Sequence, residues 1–137
     1  MLKHSVTMKH VLAHSLGIVS FREFLESEHA GENIDFWVAV TDFQADEEHD
    51  SNKRKEQAKH IFVTFCANYA DRQVNLPQTM LADIDKSLHE DEGIKPDLFD
   101  KPKQEIFQLL EKDKFLRYKQ SASFTEFLGR LGILSIH

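Results

Sequence analysis

The strongest structural signal in this chain is an apolar stripe at helical spacing in its middle part. Counting from Ala58, apolar residues recur at i, i+3, i+4, i+7, i+8 and i+11, ending at Tyr69. Because an α-helix turns every 3.6 residues, this spacing places the side chains on one face that other elements must cover. Shorter stripes include Phe36, Met80 and Ile106, and no alternating strand pattern persists. The sequence therefore predicts an all-α bundle of seven to nine helices with short loops.

Local sequence patterns predict two helix starts and one irregularity. Two capping-box patterns, Ser20 with Glu23 and Ser123 with Glu126, predict helix starts. The apolar pattern weakens over residues 112–114, so we expect a bend or break there.

Size and composition favour one domain. A chain of 137 residues is long enough for one core and too short for two ordinary domains. Eleven phenylalanines predict a well-filled core, since each ring buries a large area. Three prolines and five glycines argue against long disordered tracts and against a turn-rich all-β fold. We expect a single domain over residues 1–137, in which residues 1–15 form an N-terminal helix packed on the rest.

Net charge, cysteine content and the lack of long apolar runs argue against several kinds of ligand, cross-link and location. The formal net charge of −6 disfavours nucleic acid and anionic membranes, which both select basic surfaces. The one cysteine, Cys66, rules out an internal disulfide and lies in the apolar stripe, so we expect it to be buried and inert. Without an apolar run of 18 residues or a signal-peptide core, the chain is expected to be cytosolic and not to span a membrane.

Enzymatic motifs are missing from the sequence. It contains no GxxxxGK[ST], GxGxxG, HExxH or GxSxG string. His60 and Cys66 lie six residues apart and so point to different helix faces. His10 and His14 have the i, i+4 spacing of a metal clamp but lack a third ligand nearby, which favours exposed helix histidines. No catalytic centre, metal site or cofactor is expected.

A few polar residues at predicted helix starts, loops and bends are not explained by packing: Glu32, Asn33, Asn75, Asp113 and Arg117. Each has a purely structural interpretation. Asn33 could cap a helix, with Glu32 favoured by the helix dipole. Asn75 could cap the next helix, and Asp113 with Arg117 could form a surface ion pair of little energetic value. Taken singly, each residue favours the structural interpretation.

Three stretches in order carry a family resemblance: SFREFLESEHAGENIDFW at 20–37, VNL at 74–76 and LFDKPKQEIFQLLEKDKFLRYKQS at 98–121. They resemble the regulators of G-protein signalling, the RGS family, whose pattern includes "FL…SE…ENI-FW" and "FD-AQ-IF-LME-DS--RFLKS". The matches run from about Phe21 to Phe127, and we assign the core of the resemblance to about 16–131. The family fold is a bundle of about nine helices, which agrees with the periodicity.

The resemblance implies a function without a catalytic centre in this chain. RGS domains accelerate GTP hydrolysis by heterotrimeric Gα subunits and so terminate signalling. The implied partner is a GTP-bound, transition-state-like Gα, met by a monomer in the cytoplasm at the inner face of the plasma membrane. No cofactor, nucleic acid or membrane span is implied. The alternative is a non-catalytic RGS-like docking or scaffold module that binds Gα or another signalling protein.

The resemblance also implies roles for individual residues. Asn75 matches the family asparagine that reaches toward the catalytic Gln and switch I of Gα. Glu32 and Asn33 match a pair that packs on the switch surface. In the third segment Asp113 is expected to accept hydrogen bonds from switch I, oriented by Arg117. The expected Gα-binding residues are Glu32, Asn33, Asn75, Leu109, Asp113, Lys114 and Arg117.

Three positions depart from the family pattern. Lys114 stands where many members have a small serine, Pro77 where a carboxylate is common, and His29 where an aromatic is usual. A charge change at an interface discriminates partners by repulsion as well as by attraction. We therefore expect these positions to affect which Gα is accepted.

Overall fold

A computed structural model describes residues 5–46, 50–90 and 93–132, and most of these residues are helical. Within those ranges there is no strand, and the α-helices are α1 Met8–Leu12, α2 Ser15–Ser27, α3 Gly31–Ala45, α4 Ser51–Ile61, α5 Gln78–Leu88, α6 Asp100–Leu109, α7 Phe115–Tyr118 and α8 Ala122–Arg130. The π-helical turn Phe62–Cys66 continues α4, and a second, Leu110–Lys114, joins α6 to α7. Counted as continuous helices these make seven, so the all-α prediction is confirmed and the expected nine was slightly high.

The helices pack as two compact units, one formed by Met1–Ile34 with Gln108–His137 and the other by Asp35–Phe107. Residues 1–4 of the predicted N-terminal segment lie outside the described part of the chain. No helix in the described ranges is both long and apolar enough to cross a bilayer.

An aromatic cluster forms the core of the first unit. Tyr118 lies 4.9 Å from Phe21 and 5.2 Å from Phe124 between ring centroids, and all three side chains are fully buried. The Tyr118 hydroxyl pairs with the Ser20 hydroxyl at 2.7 Å, and Ser20 donates to the carbonyl of Ser123 at 3.1 Å. Burial raises the pKa of Tyr118 to about 12. The phenol is therefore a neutral, bonded core group at physiological pH.

Ser20 and Ser123 do not start helices, contrary to the capping prediction. Ser20 lies in the middle of α2, where its hydroxyl is used by Tyr118 and Ser123. The cap of α8 is Ser121, whose hydroxyl accepts from the backbone N–H of Phe124 at 3.2 Å. The helices themselves exist, but their starts are displaced from the predicted residues.

Phenylalanines in edge-to-face contact fill the core of the second unit. Phe36 lies 5.6 Å from Phe65, and Phe43 lies 5.5 Å from Phe99, measured between ring centroids. Cys66 is buried as predicted, and burial raises the pKa of its thiol to about 12, which keeps it protonated and unreactive. The last member of the predicted stripe, Tyr69, is an exception. It lies beyond the helix end and is 97% exposed.

Candidate functional site

Asn75 is presented to solvent by a backbone segment that is fixed on both sides. Its neighbours Val74 and Leu76 are buried, whereas Asn75 itself is exposed. The backbone N–H of Val74 donates to the carbonyl of Phe65 at 2.9 Å. Alternation of buried, exposed and buried residues turns the asparagine side chain outward while its neighbours hold the chain. The amide is thus available to a partner without any cost to the core.

A second set of bonds fixes the approach to this segment. The N–H of Arg72 donates to the carbonyl of Thr64 at 3.2 Å, and its guanidinium lies 2.5 Å from the carboxylate of Asp35. Thr64 belongs to the last turn of the helix, where carbonyls lack partners within the helix. The returning chain therefore satisfies the end of one helix and is itself immobilised.

The structure removes the capping explanation for Asn75. Helix α5 begins at Gln78, its N-cap is Pro77, and no side chain bonds to that cap. Asn75 lies two residues further from the helix than a cap would. Capping therefore does not account for an asparagine at this position.

Glu32 and Asn33 lie in the first turn of α3. The helix begins at Gly31, so Asn33 is inside it and does not cap it. Asn33 is only 7% exposed and is the one buried polar side chain in the described ranges. Glu32 is half-buried at the helix mouth, where the helix dipole favours a carboxylate. Of the two, Glu32 is the more accessible to a partner, and Asn33 is almost fully enclosed by the fold.

The turn before α3 has a defined geometry. His29 adopts a left-handed backbone with φ of +60°, and its N–H donates to the carbonyl of Glu26 at 3.0 Å. The next N–H, of Ala30, donates to the carbonyl of Leu25 at 2.8 Å. This pair of bonds is the Schellman motif that closes helices, in which glycine usually takes the left-handed position. It closes α2 and leads directly into the Glu32 turn.

The third predicted segment coincides with a π-helical turn. Leu110–Lys114 joins α6 to α7 at the place where the apolar pattern weakened. Such insertions change the face on which the following side chains lie, and they often occur at functional sites. Leu109 is 37% exposed and the side chain of Asp113 is 67% exposed, whereas Leu110 is fully buried. Leu109 and Asp113 are therefore accessible.

A residue outside the predicted set, Glu28, organises this part of the first unit. One of its carboxylate oxygens, Oε1, lies 2.5 Å from Arg117 Nη2 and 3.1 Å from Lys114 Nζ. The predicted Arg117–Asp113 pair is present but longer, at 3.6 Å. Both cations are drawn toward Glu28, which is only 22% exposed. Lys114 is thus engaged in an internal ion pair.

Several residues of the predicted set lie together within the first unit. In the first unit Lys114 and Arg117 meet at Glu28, with Asp113 beside Arg117. Glu32 and Asn33 follow Glu28 along the same turn, and Leu109 directly precedes the π-helical turn. Asn75 belongs to the second unit. No spacing pattern could have revealed Glu28, because its partners are 86 and 89 residues away.

One of the two candidate metal ligands, His10, has another role. His10 and Thr7 form a capping box for α1, in which Nδ1 of His10 accepts from the Thr7 N–H at 3.0 Å. In the part of the chain that the structure describes, no group of three or more His, Cys, Asp or Glu side chains could hold an ion.

Comparison with known proteins identifies a family. The chain matches the family model for the regulator of G protein signaling domain over residues 7–127. It is 36% identical over 123 residues to regulator of G-protein signaling 10 of Rattus norvegicus, with 89% of this chain and 64% of that protein covered. Regulator of G-protein signaling 5 of Sus scrofa is 32% identical over 118 residues, covering 86% of this chain and 62% of that protein. The chain therefore spans less than two thirds of the length of these relatives.

The family model covers most of the chain, including the three segments described above. The all-helical architecture agrees with that match. The chain belongs to the regulator of G protein signaling domain family.

Proposed function

We propose that this chain is a GTPase-activating domain for a heterotrimeric Gα subunit. Family membership supports this class of function, and the observation that carries the proposal is the exposed Asn75 on a fixed backbone. An uncharged amide offers both a donor and an acceptor, so it can orient a glutamine and a switch backbone without repelling phosphate. Exposure of the Asn75 side chain does not stabilise the fold, whereas it makes the amide available to a partner.

The proposed mechanism is preorganisation. Gα supplies its own arginine in cis and a glutamine that positions the attacking water. The RGS domain then has no chemical step to perform and accelerates hydrolysis by holding mobile switch segments in the reactive arrangement. Only contacts that are stronger in the transition state than in the ground state raise the rate. A rigid Asn75 segment suits this role because little order has to be gained on binding.

The first unit supplies contacts of two kinds. Leu109, Asp113 and Glu32 are accessible and are proposed to touch the switch surface. Lys114 and Arg117 are proposed to act mainly through Glu28, which holds the π-helical turn and the start of α3 in one arrangement. Arg117 is thereby a positioning residue more than a direct ligand of Gα.

The proposed partner is Gα in the GTP-bound, transition-state-like form. The chain would meet it as a monomer in the cytoplasm, at the inner face of the plasma membrane where Gα resides. The single domain over residues 1–137 is proposed as the unit that binds. The proposed interaction requires no cofactor in this chain.

Preference for nucleotide state tests the proposal. Across a panel of Gα subunits, the domain is expected to bind Gα·GDP·aluminium fluoride, a mimic of the transferring phosphoryl group, at least about tenfold more tightly than Gα·GDP. Isothermal titration calorimetry with both forms gives this ratio directly. Equal affinity for the two forms would contradict activation of hydrolysis and would support the docking or scaffold module instead.

A further inference from the structure

Tyr69 is the third residue of the turn Ala67–Ala70, at a left-handed position where glycine is usual. Among the described residues, two non-glycine residues have a left-handed backbone, His29 with φ of +60° and Tyr69 with φ of +63°. His29 completes the Schellman turn that closes α2. Tyr69 is 97% exposed, so its ring contributes almost nothing to the core. An aromatic residue in this backbone region is unfavourable relative to glycine, and such outliers are often found at functional sites.

The turn that carries this tyrosine is held at both ends. The N–H of Ala67 donates to the carbonyl of Phe62 at 2.8 Å, and the N–H of Ala70 donates to the carbonyl of Ala67 at 3.1 Å. On the far side, the N–H of Arg72 donates to the carbonyl of Thr64 at 3.2 Å. The ring is therefore displayed from an ordered base, which lowers the entropy lost when it contacts a partner.

The charges around the ring indicate the chemistry of the contact. Asp71, two residues further on, is exposed. The guanidinium of Arg72, the residue after Asp71, lies 2.5 Å from the carboxylate of Asp35. The outward surface of the turn thus offers an aromatic face and a carboxylate. This combination suits a lysine or arginine side chain, which binds aromatic faces by cation–π attraction and pairs with carboxylates.

We propose that Tyr69 and Asp71 form an additional contact for a basic side chain of Gα, beside the region touched by Asn75. This inference rests on the proposed function. Tyr69 and Asn75 belong to one continuous segment that is fixed through Arg72 and Val74, and on this basis we place the additional contact next to that of Asn75. Tyrosine is one of the residue types enriched among the few side chains that carry most of the binding energy of an interface. Tyr69 would then help to select among Gα subunits that differ at the facing basic residue.

Opposite effects on stability and affinity test the inference. Tyr69→Gly and Tyr69→Asn are expected to raise the melting temperature by a few degrees, because both residues tolerate the left-handed backbone. The same variants should bind Gα·GDP·aluminium fluoride about tenfold more weakly. Tyr69→Phe keeps the ring and should stay within about twofold of wild type. Asp71→Asn should weaken binding and reduce its dependence on salt.

The control is Val19→Ala, which shortens a side chain of α2 that is 54% exposed and should leave affinity unchanged. Unchanged affinity of Tyr69→Gly and Tyr69→Asn, with normal wild-type binding, would overturn this inference alone. A loss in Tyr69→Phe as large as in Tyr69→Gly would overturn the role of the ring. Failure of the wild-type domain to bind any transition-state-like Gα would overturn the proposed function together with it.

Discussion

At the scale of single residues, the clearest organising feature is the carboxylate of Glu28. It accepts from Lys114 and Arg117 at once, and the side chains of Glu28 and Lys114 are largely shielded from solvent. Shielding strengthens an ion pair and makes the loss of one partner costly, because the remaining charges are left unpaired. Removal of the Glu28 charge would leave Lys114 without this partner and Arg117 with only its longer contact to Asp113.

We therefore expect Glu28→Gln to destabilise the domain by about 1–2 kcal/mol, because these pairs are only partly exposed. The matched control is Glu126→Gln, which breaks the exposed pair with Arg130 at 2.9 Å and should cost at most about 0.5 kcal/mol. Urea unfolding of both variants measures the difference, and the cost of Glu28→Gln should shrink in high salt. Equal costs in the two variants would show that the Glu28 cluster is an ordinary surface pair.

The predicted residues differ in how well sequence could assign them. Asn75 was singled out from the sequence, and its exposure agrees with a contact role. Asn33 resembles Asn75 in chemistry but is buried, and no local pattern distinguishes the two. Helical spacing predicts Tyr69 on an apolar face, whereas the helix ends before it. Where a helix ends depends on tertiary bonds to its last carbonyls, and those bonds come from residues beyond it.

At the scale of elements, the corner between α1 and α2 depends on one glycine. A Cβ atom on Gly17 would lie 2.0 Å from the carbonyl oxygen of Val11, a backbone atom that cannot move aside cheaply. The ring of Phe127 lies 3.0 Å from the same point. Gly17 therefore permits the close approach of the two helices, although glycine inside a helix is otherwise unfavourable.

Gly17→Ala should consequently destabilise the domain by about 2 kcal/mol or more, since close-packed sites tolerate added atoms poorly. The control, Gly129→Ala in α8, places its methyl group where nothing lies within 4 Å, and it should stabilise by about 0.5 kcal/mol through helix propensity. Thermal or urea unfolding distinguishes the two. A change of stability in the same direction in both variants would contradict the close packing of α1 and α2 at Gly17.

Apolar periodicity predicts the helices well, because the residues that form the buried face of a helix all lie within that helix's own stretch of sequence. Helix starts were predicted less well, since serine hydroxyls have several possible partners. Ser20 has the pattern of a cap, yet it bonds to Tyr118, 98 residues away. The weakened pattern at 112–114 did coincide with an irregularity, the π-helical turn Leu110–Lys114. Loss of periodicity showed where the helix changes but not which kind of turn replaces it.

At the scale of the whole molecule, the family was recognisable from three ordered stretches, and the match over residues 7–127 confirms it. The way the site is supported was not recognisable. Glu28 pairs with Lys114 and Arg117, which lie 86 and 89 residues further along the chain. Arg72 pairs with Asp35, which lies 37 residues before it. Such pairs arise from the packing of helices, so they appear only when the fold is known.

In the proposed function, Asn75 acts on Gα and does not stabilise the fold. Single-turnover GTP hydrolysis by a panel of Gα subunits, measured with and without the domain, tests it most directly. Wild type should accelerate hydrolysis, and Asn75→Ala should reduce the acceleration by about 100-fold, a loss typical for a positioned transition-state contact. The melting temperature of the Asn75→Ala variant should stay within about 2 °C of wild type, because the side chain that it removes is exposed.

The matched control is Asn52→Ala, which removes an equally exposed asparagine from the first turn of α4. It should accelerate hydrolysis as wild type does. The predicted result is loss of acceleration in the folded Asn75→Ala domain alone. Full acceleration by Asn75→Ala, or no acceleration by the wild-type domain with any Gα, would contradict the account.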